Sequence, residues 1–432
     1  MSEWIVKTIG EICDFGNGKV QTGPFGSQLH QSDYQAEGYP FVMPKDIING
    51  KIDESSVARV SISHVDRLSK HKLLLGDIIY GRRGDIGRQA LVIKENVGWL
   101  CGSGCLRISL GKFPIDPMFL HLYLKLPEVM SWVENQAVGA TMPNLNTKIL
   151  RSVPIRYPVN VYHQQQIAAI LSAYDDLIEN NDRRIALLEK MAEEIYREWF
   201  VRLRFPGHKQ VTFHKGIPEG WEMVEIGKAF EVTGGGTPSK EELKYWTDGN
   251  INWYTPSDIT ASNGVFIFNS VLQCTEEGLN NSSTRLFPAY SIMMTSRATI
   301  GAIGINTTIA CTNQGFITCI PNQKYPIAFL YYWLKLNKSY FEMLSTGSTF
   351  AELSKSTFKK ISILTPQNLL IQEFTQKVMP MFSVIENLIK EVENLKQTRD
   401  RLLTRLISGK LSVEDLDIHF PPSMTADTTP TK

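Results

Sequence analysis

Residues 167–199 read IAAILSAYDDLIENNDRRIALLEKMAEEIYREW, and their stripe residues alternate at spacings of four and three. The stripe runs Ile167, Leu171, Tyr174, Ile178, Asn181, Ile185, Leu188, Ala192, Ile195, Trp199. A 3.5-residue period keeps one helix face turned toward a partner along its whole length, the pattern of a coiled coil. Residues 374–406, FTQKVMPMFSVIENLIKEVENLKQTRDRLLTRL, repeat the register through Phe374, Val378, Met381, Ile385, Leu388, Val392, Leu395, Arg399, Leu402 and Leu406. Pro158 and Pro366 close the segments before these stretches, while Pro206-Gly207 and Gly409 act as stop signals after them. Two long helices are therefore expected, over 159–205 and 367–412. Asn181 either fixes the register or sits at a bend or exposed edge. Its counterpart is Leu388, so no Asn–Asn pair forms across the repeat.

The segments before the helices repeat as well. Trp4-Ile5-Val6-Lys7-Thr8-Ile9-Gly10 returns as Trp221-Glu222-Met223-Val224-Glu225-Ile226-Gly227, and Gly16-Asn17-Gly18 as Gly234-Gly235-Gly236. Pro44-Lys45-Asp46-Ile47 returns as Pro256-Ser257-Asp258-Ile259, and Arg83-Gly84-Asp85-Ile86-Gly87 as Arg297-Ala298-Thr299-Ile300-Gly301. Leu124-Lys125-Leu126 matches Leu334-Lys335-Leu336, and Gly139-Ala140-Thr141 matches Gly347-Ser348-Thr349. Both segments, 1–158 and 206–366, carry short β-like runs between turn residues, such as Leu74 to Tyr80 and Tyr290 to Met294. Each also holds one helix-like stretch, Pro117 to Val138 and Pro326 to Ser345. These are mixed α+β domains.

A helix of about 40 residues is roughly 60 Å long. The second domain leaves the first helix and enters the second almost at once. Antiparallel helices put both connections at one end and bring the chain back to the first domain. The expected fold is α+β: two similar mixed α/β domains joined by an antiparallel coiled coil in a pseudo-two-fold, circular arrangement. The tail, 413–432, is expected to be partly disordered, being rich in Pro, Thr and Ser toward its end.

Composition narrows the function. The chain has 432 residues, 43% hydrophobic and 21% charged, with a net charge of +1, which excludes a polybasic nucleic-acid coat. No apolar run approaches the roughly 20 residues of a membrane span. The start has no secretory pattern and the six cysteines form no C-x-x-C pair, so a cytoplasmic protein with reduced thiols is expected. There is no G-x-x-x-x-G-K-[ST] loop, no H-E-x-x-H and no G-x-S-x-G elbow. His163 and His208 are expected at caps or on the surface. Nothing marks a catalytic residue or a metal site.

In duplicated order these motifs resemble one family, the specificity (S) subunits of type I restriction–modification systems. Trp4 to Ile12 with Thr22-Gly23-Pro24-Phe25-Gly26-Ser27-Gln28-Leu29 is similar to the start of a target recognition domain, as is Gly234 to Ser239 in the second copy. Gly76-Asp77-Ile78 with Arg83 and Ile86-Gly87 resembles the family's middle motif. Asn313-Gln314-Gly315-Phe316 resembles another, from which the first copy departs with Ser103-Gly104-Cys105-Leu106. Gln166 to Val201 and Gln372 to Lys410 resemble the helical spacers.

The resemblance implies a subunit that is not itself an enzyme. It implies two target recognition domains, each reading half of a bipartite, asymmetric site on double-stranded DNA. The helices would act as spacer and as docking surface for two methyltransferase (M) subunits. Restriction (R) subunits would complete the complex. S-adenosylmethionine, ATP and Mg2+ would sit on those partners, which supply adenine methylation and endonuclease activity; no cofactor is expected on this chain and no membrane is involved.

A domain pair of this kind meets DNA from one face when its half-sites lie about one helical turn, roughly 34 Å, apart. The first domain has 18 Lys/Arg against 15 Asp/Glu and the second 13 against 12, so a DNA face must be locally concentrated. Arg82, Arg83 and Arg88 form the clearest cluster, and Arg297 is the second-domain equivalent of Arg83. An arginine shared by both copies suits phosphate, because shared contacts cannot give different specificities. The alternative is an internal salt bridge, for Arg83 to Asp77 or Asp85. Base readers belong where the copies diverge: Gln28, His30, Gln31 and Lys45 in the first domain, and Lys240, Tyr245, Ser257 and Asn263 in the second. Ordinary solvated loop residues are the competing reading at each. Two rival functions stay open: a self-sufficient modification enzyme, against which the absence of an N-P-P-[YF] motif counts, and a purely structural adaptor with two protein-binding heads.

Overall fold

The computed structural model describes residues 3–25, 28–84, 86–137, 144–262, 264–346 and 351–425. The repeated Gly139-Ala140-Thr141 and Gly347-Ser348-Thr349, together with Asp85, Asn263 and the tail beyond residue 425, lie outside the described residues. The chain divides into two compact units, Met1–Ile178 with Asn394–Lys432, and Glu179–Glu393. The long helices, Val161–Tyr196 and Asn368–Ile407, each contribute to both units.

In the first unit the strand Trp4–Thr8 pairs antiparallel with Pro154–Pro158, so the two ends of the domain are clasped together. Thr8 then caps the helix Ile9–Phe15, in a box where Glu11 answers the Thr8 N–H at 2.7 Å; such a cap contributes about 1 kcal/mol. An antiparallel four-stranded sheet follows, in the order Lys19–Thr22, Cys105–Ser109, Ile78–Gly81, Gln89–Leu91. A second sheet orders Ala58–Val60, Tyr39–Val42 and Leu100–Cys101, with the last pair parallel.

The second unit repeats this plan. Glu222–Glu225 clasps Ser362–Thr365. Glu231–Gly234, Phe316–Ile320, Ile292–Thr295 and Ile303–Asn306 reproduce the four-stranded order, extended by a parallel strand at Phe266–Ile267. Leu272–Cys274, Ile251–Tyr254 and Ala310–Thr312 reproduce the mixed sheet, again with one parallel pair. The duplication read in the sequence is thus a duplication of topology.

Both units show the helices pairing antiparallel. In the first, Ile167, Ala168 and Leu171 share a core with Leu403, Leu406 and Ile407. In the second, the ring of Phe374 meets Tyr196, Trp199 and Phe200. Early residues of one helix meet late residues of the other in each case. Every fully buried aliphatic or aromatic side chain on these stripes contributes about 1.5–3 kcal/mol. Arg399 occupies a stripe position because Asp175 takes its guanidinium at 2.6 Å. Asn181 is buried within the uninterrupted first helix, not at an exposed edge, and accepts from Arg184 at 3.2 Å. The first helix ends in a π-helical turn, Arg197–Val201. Around this wider turn Trp199 and Phe200 both reach Phe374, and Phe200 also meets Trp221 at a tilt and Phe329 edge-on.

Three expectations are corrected. The helix expected from Pro117 is two helices, Pro117–Tyr123 and Pro127–Gln136, because Pro127 has no N–H to continue the first and instead starts the second. The stretch from Pro326 likewise breaks at Asn337 into Ile327–Leu336 and Lys338–Met343. His163 is neither cap nor surface: it is buried edge-on to Trp4, 3.5 Å from the Glu414 carboxylate of the returning C-terminal segment. That segment also ties down through Arg156, which donates to the Ser408 carbonyl at 2.8 Å. No helix among the described residues is long and apolar enough to cross a membrane.

Candidate nucleic-acid interface

Four loops meet at one end of the two sheets in the first unit. Gly102 donates its N–H to Val42 O at 2.8 Å, and Gly23 donates to Cys105 O at 3.0 Å. Arg82 donates to Gly104 O at 2.8 Å and accepts from Leu145 N at 2.9 Å. The approach is close enough to require glycine: a Cβ on Gly23 would lie 1.8 Å from the Gly102 carbonyl oxygen.

The second unit repeats three of these four bonds; its Gly236 bond to Thr312 has no counterpart in the first, where the strand register puts Pro24 at that position. Asn313 donates to Tyr254 O at 3.0 Å and Gly236 to Thr312 O at 2.9 Å. Ser296 donates to Gly315 O at 2.8 Å and accepts from Leu353 N at 3.0 Å. Here a side-chain bond from Thr237 to Gln314 at 2.7 Å adds a further tie. The strand registers, Cys105↔Gly81 and Phe316↔Thr295, align Gly102-Ser103-Gly104-Cys105 with Asn313-Gln314-Gly315-Phe316. The sequence comparison placed this segment one residue late and so missed that the glycine is shared.

The frame presents one matched arginine in each unit. Arg83 and Arg297 follow directly after Arg82 and Ser296, and form β-bridges to Asn144 and Glu352. Both lead into a left-handed residue, Gly84 at φ +79° and Ala298 at φ +58°. A left-handed alanine costs about 1–2 kcal/mol, a strain of the kind held at functional loops. Arg83 is exposed, and among the described residues no partner engages its guanidinium. Asp77, the partner considered for it, is instead 3.6 Å from Arg107. Arg297 contacts Glu352 at 2.9 Å through both Nε and Nη2, with each side chain a little under half exposed.

The other candidate residues fall into groups. Lys45 and Arg82 lie on the first frame with Arg83. Lys45 is exposed and reaches Ser56 O at 3.2 Å, whereas Arg82 is half-buried with Nε bonded to Asn144 Oδ1 at 3.1 Å and Leu145 O at 3.2 Å. Gln28, His30 and Gln31 continue the loop after Gly23. Gln28 accepts from Phe25 N with its side chain and from Arg67 with its carbonyl, and the His30 N–H donates to Asp33. Arg88 is exposed beside the sheet, its carbonyl accepting from Gly81. On the second frame Ser257 is exposed at the position that Lys45 holds in the first, and Lys240 lies on the loop after Gly236. Tyr245 is not on the frame: it packs against Gly278 of the helix Glu276–Asn280, under the Lys244 ammonium.

The units differ in what supports the frame. In the first, Arg107 is buried, donating to Lys72 O, with Asp77 bonded to Ser109 and to Leu74 N. Burial raises the Asp77 carboxyl despite those partners. His71 lies next to them, 3.3 Å from the Gln21 amide, and burial followed by the Lys70 and Arg107 charges pushes it down to about 4. The second unit places Ser291 and Thr318, both neutral, at the positions of Asp77 and Arg107. Among the described residues no group of His, Cys, Asp and Glu could hold a metal ion. Burial pushes the Cys13 and Cys101 thiols up to about 12, as befits core residues.

Two mixed-sheet units, each with a loop frame offering an arginine and glycine-flanked backbone, define a duplicated recognition module. The family model described as Type I restriction modification DNA specificity domain matches residues 1–190 and 218–402, and the chain belongs to that family. It is 26% identical over 429 residues to the Type I restriction enzyme MjaIX specificity subunit of Methanocaldococcus jannaschii, across 96% of this chain and 95% of that protein. It is 24% identical over 481 residues to the Type I restriction enzyme HindI specificity subunit of Haemophilus influenzae, across 95% of this chain and 100% of that one. The fold is that of the type I restriction–modification S subunit crystal structure from M. genitalium, with a TM-score of 0.59 and 19% identity over 94% of this chain and 96% of that chain.

Proposed function

We propose that each globular domain of this specificity subunit reads one half of a bipartite, asymmetric DNA site. In this reading the paired helices set the spacing and dock two methyltransferase subunits, with restriction subunits joining the full complex. The chain performs no chemistry itself. S-adenosylmethionine, ATP and Mg2+ act on the partners, where adenine methylation and cleavage occur in the cytoplasm.

One observation carries the reading: the same hydrogen-bonded loop frame occurs twice, yet the side chains mounted on it differ, as Lys45 against Ser257 and Arg82 against Ser296 illustrate. A shared frame with divergent tips suits two domains that grip the same polymer and read different bases. Arg83 and Arg297 would take phosphates; Gln28, His30, Gln31, Lys45, Lys240, Tyr245, Ser257 and Asn263 are the candidate readers. With a net charge of +1, the chain alone neutralises few phosphates, so tight binding requires the methyltransferase subunits around the duplex.

The test is genome-wide mapping of modified bases in cells expressing the chain with its methyltransferase partner. Exchanging residues 206–366 for another domain of the family should replace one half of the motif and leave the other half intact. An unchanged motif after the exchange would sink the proposal.

A further inference from the structure

We propose that Glu352 competes with DNA for the second domain's arginine, so that the two half-sites are gripped with different salt dependence. The inference rests on the DNA-reading function above.

The frame places Arg83 and Arg297 at equivalent points, fixed by residues 82 and 296, 104 and 315, and 145 and 353. What faces each arginine across its β-bridge differs: Asn144 in the first domain, Glu352 in the second. Asn144 is neutral and its Oδ1 is occupied by Arg82. The residue at the position of Arg82 is Ser296, which has no guanidinium to offer Glu352. Glu352 therefore turns to Arg297 itself and holds it through Nε and Nη2 at 2.9 Å. The pair is 46% and 43% exposed, so it is open to an arriving phosphate and screened enough to be displaced.

The consequence lies in ion release. An unpaired arginine that meets a phosphate releases the counterion condensed there, and each such contact steepens log K against log[salt] by about 0.9. Arg83 makes that full contribution. Arg297 must first leave Glu352, whose freed carboxylate recruits a cation and repels the neighbouring phosphates. Its net ion release is close to zero. The first domain thus anchors electrostatically, and the second depends more on its base contacts.

The experiment measures binding of the full chain, assembled with its methyltransferase partner, to a duplex carrying the methylated motif mapped in the host genome, over a series of salt concentrations. Glu352→Gln should steepen the salt slope by about 0.9 and tighten binding about three- to tenfold near 0.1 M salt. Glu352→Asn, the residue of the first domain, should do the same. Arg83→Gln should flatten the wild-type slope by about 0.9. Arg297→Gln should leave the wild-type slope nearly unchanged yet abolish the gain in the Glu352→Gln background. An unaltered slope in both Glu352 variants, or equal losses for Arg83→Gln and Arg297→Gln, would overturn the competition. Failure of the wild-type assembly to prefer its own motif over unrelated DNA would instead overturn the DNA-reading function.

Discussion

Mild acid should loosen the first unit and spare the second. Burial holds His71 down at about 4, with the Lys70 and Arg107 charges adding to the effect, while an unfolded chain protonates histidine near 6.5. Between those values the unfolded state binds more protons than the folded one, so stability falls as pH falls through this window. From pH 7.5 to pH 5 the linkage from His71 amounts to at most about 2 kcal/mol. His121, buried against Gln89, is also held well below its usual value and acts in the same direction. The second unit's two histidines, His208 and His214, are half-buried and exposed. Amide hydrogen exchange, corrected for intrinsic rates, should therefore show protection lost at pH 5 in the strands Ile78–Gly81 and Cys105–Ser109. Their counterparts Ile292–Thr295 and Phe316–Ile320 should keep theirs. His71→Gln should reduce the pH slope of the first unit. Equal loss in both units, or an unchanged slope in the variant, would refute the reasoning.

Two further substitutions probe the frame. Gly23→Ala drives a methyl group into the Gly102 carbonyl; it should lower the stability of the first unit by about 1–3 kcal/mol and erase that unit's half of the methylation motif. Thermal unfolding and modified-base mapping check the two outcomes. Ala298→Gly should relieve the left-handed strain at φ +58° and stabilise the second unit by about 1 kcal/mol, visible as a raised melting temperature.

The helices were legible because a coiled coil writes its partner into a local period. Spacings of four and three through Ile167 and Leu171, or Phe374 and Val378, need no distant residue to be recognised. Antiparallel pairing also followed, since the second domain enters and leaves at the same helix end. The sheets were less legible. Their parallel pairs, Phe41↔Leu100 and Trp253↔Cys311, join segments more than fifty residues apart with no local pattern linking them. The same cause hid the frame. Gly104 and Gly315 are equivalent by strand register, and no run of identical neighbours reveals it. Glu352 was invisible as a partner of Arg297 because they lie 55 residues apart.

Frame and tips obey different physics, and that difference explains how one fold carries two different loop surfaces. The frame is made of backbone bonds and close approaches, so it tolerates few residue types: Gly23 must be glycine, and the left-handed turn after Arg83 and Arg297 persists even where Ala298 resists it. The tips are side chains on loops that solvent already reaches, where substitutions usually change stability by no more than about 0.5 kcal/mol. Lys45 can stand where the other copy has Ser257, and Asn144 where it has Glu352, without disturbing a bond of the frame. Divergence at the tips is therefore structurally inexpensive, while divergence in the frame is not. The charge facing the arginine is a tip difference of the kind that acts at long range. A single carboxylate at residue 352 is then enough to make two topologically matched domains unequal in the charge that faces their shared arginine.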